Sequence, residues 1–454
     1  MRLKTKLFGK VYQFKSVNEV MAKANELKSG DVLAGIAASS EQERVAAKEV
    51  LSQLTVADIR NNPAVPYEKD EVTRIIQDGV NEKIYKEFAN KTIGELREYI
   101  LDYKTTENDL RRLSRGITSE VAAALAKIMG NMDLIYAAAK IRNIATCNTT
   151  IGKHGILASR IQPNHPTDDP DGIRLSVYEG LSYGCGDAVI GLNPVDDTID
   201  SVTRSLHLLE EIKNDFQIPT QICVLGHITT QMEAVKRGAP NDLMFQSLAG
   251  TELANASFGI NGNMLKEAQD MMYRDGTCMG PNVMYFETGQ GSELASEAHL
   301  GVDQVTLEAR CYGLAKAYKP FLVNTVVGFI GPEFLYDGRQ VIRAALEDHF
   351  MGKIQGIPMG VDSTMTTHMD SSFNDLDMLE VLLTTAGCNY FMGINGGDDV
   401  MLNHLTSSYH DLAALREISG KRVIKEFEVW CQNMGIMDAD GKLTKRAGDA
   451  SIFF

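Results

Sequence analysis

Between residues 150 and 400 the chain repeats one pattern eight times: a short apolar run, a polar turn, then a stretch with helical spacing. The runs are Gly155–Ile161, Asp187–Leu192, Thr220–Leu225, Asp242–Phe245, Asn282–Phe286, Phe321–Val327, Gly356–Val361 and Cys388–Met392. Each is too short for a buried helix. Near-continuous apolarity between turn residues is how strands read when both faces of a parallel sheet are covered. The stretches between them include Ile199–Phe216, Thr230–Arg237, Val302–Tyr318, Arg339–Phe350 and Leu376–Thr385, long enough for right-handed crossovers. Eight such units predict an α/β chain closed into a (β/α)8 TIM-type barrel. An open doubly wound sheet is the alternative, but the G-x-G-x-x-G turn expected after its first strand is missing.

On either side the pattern is helical. Residues 1–140 read as a helical scaffold or interface region, 150–400 as the catalytic barrel, and 401–454 as C-terminal helices and a tail. Ser40-Glu41-Gln42-Glu43 and Thr92-Ile93-Gly94-Glu95 match capping boxes, and helical spacing runs through Glu71–Phe88 and Val121–Tyr136. Beyond the barrel, Asp411–Phe427 and Glu428–Met434 look helical. The apolar end Ile452-Phe453-Phe454 is either a contact for a neighbouring subunit or a frayed tail.

Composition narrows the function. A net charge of −15 repels phosphate backbones, which argues against nucleic acid and for neutral or cationic ligands. No apolar run is long enough to cross a bilayer, and Met1–Phe8 is followed by Gly9-Lys10 rather than a signal-peptide core, so a cytoplasmic location is expected. The seven cysteines are scattered with no C-x-x-C pair, which suits reduced thiols. Nine histidines form no H-x-H or H-E-x-x-H pair, so no metal site is expected, and only His227, just after the third run, is well placed.

In a barrel, chemistry gathers at the C-terminal ends of the strands. Here those ends are polar: Arg160-Ile161-Gln162, Asn193-Pro194, Gln246-Ser247, Glu287, Gly328-Phe329 and Asp362. Alternation puts Arg160 and Gln162 on one inward face. One guanidinium, two carboxylates, several amides and an aromatic wall suit a very small molecule with an ammonium and an oxygen. Glu287, Asp362 and Gln162 can accept from the ammonium, while Arg160 and Asn193 hold the oxygen. A salt-bridge layer that merely closes the barrel would sit at the other end of the strands. Two other classes remain open: a cofactor-free or Schiff-base barrel lyase, for which no lysine closes a strand, and a non-catalytic assembly scaffold, which has no reason to keep a costly polar cluster.

Four stretches then carry a resemblance: Ile190-Gly191-Leu192-Asn193-Pro194, Tyr285-Phe286-Glu287-Thr288-Gly289-Gln290-Gly291-Ser292, Asn324-Thr325-Val326-Val327-Gly328-Phe329-Ile330-Gly331-Pro332-Glu333 and Leu443-Thr444-Lys445-Arg446-Ala447-Gly448-Asp449. With Leu7-Phe8-Gly9 and Ser29–Gly35 they make the whole chain resemble the large, catalytic subunits of ethanolamine ammonia-lyases. The resemblance implies a (β/α)8 barrel that converts ethanolamine to acetaldehyde and ammonia by adenosylcobalamin-dependent radical chemistry. It also implies a small subunit, self-association of large subunits and a bacterial microcompartment. It places substrate ligands on Arg160, Gln162, Asn193, Glu287, Phe329 and Asp362, with Glu287, Arg160 and Asp362 catalytic. Cofactor contacts fall on Pro194, Gln246 and Met401, with Ser247 beside them. At Ala295, where related sequences often carry serine, no hydroxyl is available and a contact would have to come from the backbone. Glu347-Asp348-His349-Phe350-Met351-Gly352 comes near a cobalamin-binding D-x-H-x-x-G pattern, but lies away from the expected mouth and reads as coincidence.

Overall fold

The computed structural model describes residues Met1–Phe454. All eight runs are strands: β1 Ala158–Ile161, β2 Val189–Leu192, β3 Ile222–Val224, β4 Met244–Ser247, β5 Met284–Thr288, β6 Leu322–Val327, β7 Met359–Ser363 and β8 Tyr390–Gly393. They form one parallel sheet in the order β3-β2-β1-β8-β7-β6-β5-β4, so each strand is hydrogen-bonded to its sequence neighbours, and β8 to β1, except across β3 and β4. At the seam between β3 and β4, side chains do the work of a ladder. Asp242 accepts from the Ile222 N–H at 2.9 Å, and Gln231 accepts from the Phe245 N–H at 3.0 Å while donating to the carbonyls of Gly226 and Phe245.

Three strands run two residues further than the apolar runs. β4, β5 and β7 end at Ser247, Thr288 and Ser363 because their polar ends still pair: Ser247 opposite Glu287, Glu287 opposite Asn324, and Asp362 opposite Val326. The site residues are therefore held by the sheet itself.

The helical flanks differ from the sequence reading in five places. Lys4–Leu7 and Lys10–Gln13 form an antiparallel hairpin, turned by Phe8 and Gly9, both at positive φ. The Glu71–Phe88 pattern is two helices, Glu71–Asp78 and Glu82–Phe88, because Asn81 caps the second by accepting from the Ile84 N–H. Val121–Tyr136 divides at Gly130 into Ser119–Ile128 and Asn131–Ala139. After the barrel, Gly420 at φ 65° stops the helix Tyr409–Ser419; the Arg422 N–H then donates to Gly155 and its carbonyl accepts from Leu157 before Lys425–Asn433 begins. The capping box at Thr92 is complete, but the one at Ser40 is half-formed: Glu43 turns instead to Ser39 and Lys23.

The tail docks on its own chain rather than waiting for a neighbour. Phe453 is buried, with its ring 5.2 Å from Tyr178 and 5.1 Å from Phe216. The N-terminal helices are equally integral, since a single cluster of 118 buried apolar residues extends from Tyr12 to Phe453. Buried ion pairs cross the same boundary: Lys28–Glu347 at 2.8 Å, Lys127–Asp303 at 2.6 Å, and Arg310 with both Asp70 and Glu120. Removing one partner of such a pair strands a buried charge and costs about 3–5 kcal/mol. His349 lies fully buried inside the helix Gly338–Ile354, so the Glu347–Gly352 motif is packing. Cys147 and Cys278, 131 positions apart, bring their sulfurs within 2.7 Å, a proximity that spacing in the sequence did not indicate.

Candidate active site

The C-terminal ends of β1, β2, β5, β6 and β7 deliver their side chains to one mouth. Arg160 on β1 is fully buried and is the centre of the cluster. Its Nη1 donates to Glu287 Oε1 at 2.6 Å and to the Tyr285 hydroxyl, and its Nη2 donates to Gln162 Oε1. Tyr285 and Asn324 also donate to Glu287 Oε1, the latter at 3.2 Å, which leaves Oε2 free of partners from the chain. Asn193 donates to Gln162 Oε1 at 2.9 Å. The structure thus brings Arg160, Gln162, Asn193 and Glu287 into one bonded group.

Asp362 sits beside this group without bonding to it. Its Oδ1 accepts from the Thr406 hydroxyl at 2.7 Å, and the carboxyl is almost completely buried. Burial raises its pKa, only partly offset by His404, Thr406 and Arg160, while Glu287 raises it further. Burial alone would lower the Arg160 pKa, but Tyr285, Glu287 and Asp362 outweigh it and hold the guanidinium charged. The Arg160 guanidinium is thus paired with Glu287, while Asp362 lies beside that pair with no salt bridge of its own. Several buried polar atoms around the site also lack partners: Arg160 Nε, Asn324 Oδ1, Tyr390 Oη and both ring nitrogens of His404. Buried polar atoms are normally satisfied, so this concentration marks a place where a ligand completes the bonding.

Phe329 follows β6 and stands 39% exposed at the rim, its ring edge-on to His404 at 5.5 Å. It helps line a cavity of about 400 Å³ with Glu287, Gln246, Ser247, Val326 and His227. Gln246 is tied into the seam, accepting from the Ile228 N–H at 3.0 Å and donating to the Ser247 carbonyl. A second cavity of about 690 Å³ opens on the same face beside Gln162 and Asp399. Pro194 is half-buried after β2, and Met401 lies half-buried on the segment after β8. Ala295 is exposed, outside the residues lining either cavity, and its N–H already donates to the Gly291 carbonyl. Only its carbonyl is left for a contact.

Sequence reasoning missed Tyr285, Asn324, Tyr390, Asn164, Asp399, His404 and Thr406. Tyr285 was within reach, since it stands two residues before Glu287 on the same strand face. Asp399, His404 and Thr406 belong to a short antiparallel hairpin after β8, in which Asp398–Asp399 pairs with His404–Leu405. His227 is not a member of the bonded group: it caps the helix Ile228–Lys236 and bonds the Phe258 carbonyl at 2.9 Å.

Comparison with known proteins identifies the family. Residues 12–446 match the family model described as ethanolamine ammonia lyase large subunit (EutB). The chain is 57% identical over 454 residues to the ethanolamine ammonia-lyase large subunit of Escherichia coli (strain K12), covering all of both chains. It is likewise 57% identical over 454 residues, again covering all of both chains, to that of Salmonella typhimurium (strain LT2).

Proposed function

The chain belongs to the ethanolamine ammonia-lyase large-subunit family and is a carbon–nitrogen lyase acting on ethanolamine; from that premise we propose how its mouth residues and partners carry the reaction. The observation that carries the assignment of roles is the unpaired acid: Asp362 is buried beside the Arg160–Glu287 ion pair with no salt bridge of its own, and an ammonium group supplies a partner. Ethanolamine brings that ammonium two carbons from a hydroxyl.

In this reading Glu287 Oε2, Asp362 and Gln162 Oε1 accept from the ammonium, and Arg160 with Asn193 holds the hydroxyl oxygen. Glu287 takes the hydroxyl proton as carbonyl character grows, while Arg160 stabilises negative charge on oxygen. Phe329 and Val326 form the apolar side of the cavity and keep water from the reacting carbons. No lysine lines either mouth cavity, so a Schiff base has no donor there.

The mouth also fits a large, mostly uncharged cofactor, and we assign adenosylcobalamin to it. Two cavities open on one face, and Phe329 and Val400, which line them, stand 39% and 67% exposed, an apolar rim that a bound face covers. When bound, adenosylcobalamin supplies the radical chemistry that removes hydrogen from the carbinol carbon. Pro194, Gln246, Ser247, Met401 and the Ala295 carbonyl are the residues that would hold it. The small subunit closes the mouth from outside, and large subunits self-associate. No helix is long and apolar enough to cross a membrane. We place the assembly in the cytoplasm, within a bacterial microcompartment.

The test is reconstitution of the purified chain with the small subunit, adenosylcobalamin and ethanolamine. Ammonia and acetaldehyde are expected only when all four are present. Equal ammonia release without the cofactor would overturn the cofactor assignment.

A further inference from the structure

Gln162 can help recognise an ammonium only if its amide presents oxygen, and two groups decide this: Arg160 on the oxygen side and Asp399 on the nitrogen side. We infer that Asp399 is a positioning residue that fixes the polarity of the Gln162 and Asn164 amides, an inference that rests on the ethanolamine reading of the mouth. Asp399 is buried in the hairpin after β8. Its Oδ2 accepts from Gln162 Nε2 at 2.8 Å and from Asn164 Nδ2 at 2.8 Å. Its Oδ1 accepts from the backbone N–H groups of Met401 at 3.1 Å and Leu402 at 2.9 Å.

Charge chemistry leaves no second arrangement. A carboxylate only accepts and a guanidinium only donates. Gln162 lies between the two, so its nitrogen must face Asp399 and its oxygen must face Arg160. Asn164 is fixed in the same way: its nitrogen meets Asp399, and its oxygen accepts from the Asn193 N–H at 2.9 Å. Asn193 then turns its own nitrogen toward Gln162 Oε1 at 2.9 Å and Asn164 Oδ1 at 3.4 Å. An arriving ammonium can replace Asn193 at Gln162 because Asn193 has Asn164 as a second acceptor. Asp399 thus orients three amides without entering the substrate's place, and by holding Met401 and Leu402 it joins them to the segment assigned to the cofactor.

Asp399→Asn keeps shape and removes this control. The asparagine oxygen is claimed by the Met401 and Leu402 N–H groups, so its nitrogen meets two other amide nitrogens; Gln162 cannot answer by turning over, which would set its NH2 against Arg160, and its amide is pushed out of line. Ethanolamine binding to the large–small subunit complex, titrated calorimetrically without cofactor, is expected to weaken roughly ten- to hundredfold, the loss typical of a charge-assisted hydrogen bond. The exchange variant Asp399→Asn with Gln162→Glu restores donor to acceptor and keeps net charge. It is expected to bind within about tenfold of wild type and more tightly than either single variant, a recovery of ethanolamine affinity, rather than of stability alone, that a purely structural role would not produce. In the crystal structure of Asp399→Asn, the Gln162 amide is expected to have moved away from position 399, its Nε2 no longer within hydrogen-bond distance of that side chain. Unchanged affinity in Asp399→Asn, no recovery in the exchange variant, or an unmoved Gln162 would each overturn the inference. Wild-type protein that fails to bind ethanolamine would instead overturn the substrate reading, while the orientation of Gln162 still decides the role of Asp399.

Discussion

Glu287→Gln separates the chemistry of the mouth from its stability. Glu287 Oε1 already receives Arg160 at 2.6 Å, Asn324 at 3.2 Å and the Tyr285 hydroxyl, and all three are donors. A glutamine must keep its oxygen in that position, which places its NH2 group where Oε2 stood, facing the expected ammonium. Two donors then oppose each other, and the acceptor for the hydroxyl proton is gone. Losing a charge-assisted hydrogen bond costs about 1.5–3 kcal/mol, and losing a positioned proton acceptor costs roughly 10²- to 10⁴-fold in rate. Together they predict a fall in kcat/KM of roughly a thousandfold or more, about 4 kcal/mol of transition-state stabilisation.

Stability responds much less. Arg160 loses its carboxylate but keeps Tyr285, Gln162 and the newly installed amide oxygen, and the Glu287 side chain is 15% exposed, so the ion pair is not fully desolvated. The folding cost is about 1–3 kcal/mol, a fall in Tm of a few degrees for a chain of this size. The assay is ammonia release by the reconstituted complex, with thermal melting of the same preparation. Rates within tenfold of wild type would remove Glu287 from the mechanism, and an unfolded variant would show that the ion pair is structural.

Other perturbations test neighbouring parts. Thr406→Val removes the donor to Asp362 Oδ1, a bond that favours the ionised carboxyl; the Asp362 pKa should climb further, moving the acidic limb of the kcat/KM–pH profile upward by roughly one unit, about 1.4 kcal/mol. Glu308 is buried and its pKa is pushed up to about 7, chiefly by burial and despite the Thr288 and Tyr312 hydroxyls. The folded state therefore binds this proton more tightly than the unfolded chain, and its contribution to stability falls as pH rises from about 4.5 toward 7. Glu308→Gln should be near neutral at pH 5 and stabilising by about 1–3 kcal/mol at pH 8, read from melting at the two pH values. Gly360→Ala would set a Cβ 2.0 Å from Tyr390 Cζ inside the barrel, and chemical denaturation should find it destabilised by roughly 3 kcal/mol.

The barrel was legible because each strand is a short run of nearly unbroken apolarity, and covering both faces of a parallel strand leaves little choice of residue. Arg160, Gln162, Asn193, Glu287 and Asp362 were legible for the opposite reason: charge and amide at the end of an apolar run break the pattern. The strand ends themselves ran further than polarity implied, since Glu287 and Asp362 pair within the sheet as well as facing the mouth. Helix breaks at Gly130 and Gly420 were written in the sequence, but a single glycine inside a periodic run is also tolerated by helices. The hairpin carrying Asp399, His404 and Thr406 had no such signal. Its strands are two residues each, too short for periodicity, and what they do depends on which side chains β1 and β7 present beneath them.

That division has a physical basis. The barrel strands fix where Arg160, Glu287 and Asp362 stand, but position alone does not settle what they present to a ligand. Gln162 takes its orientation from Asp399, and Asp362 takes a hydrogen bond from Thr406, both on the hairpin. The hairpin in turn is held by two residue pairs of its own and by Met365 and Leu405, which exchange backbone hydrogen bonds at 2.9 Å. Met365 follows β7, just beyond Asp362, so the clamp that seats the hairpin begins at the acid it supports. An undocked hairpin would leave Gln162 held from its oxygen side alone and Asp362 without its donor. Such a mouth would lose the directional acceptors for an ammonium even with every barrel residue in place. On the proposed reading of the mouth, recognition requires the rigid sheet and the docked hairpin together, and the half carried by the hairpin is a tertiary fact, absent from any local pattern in the chain.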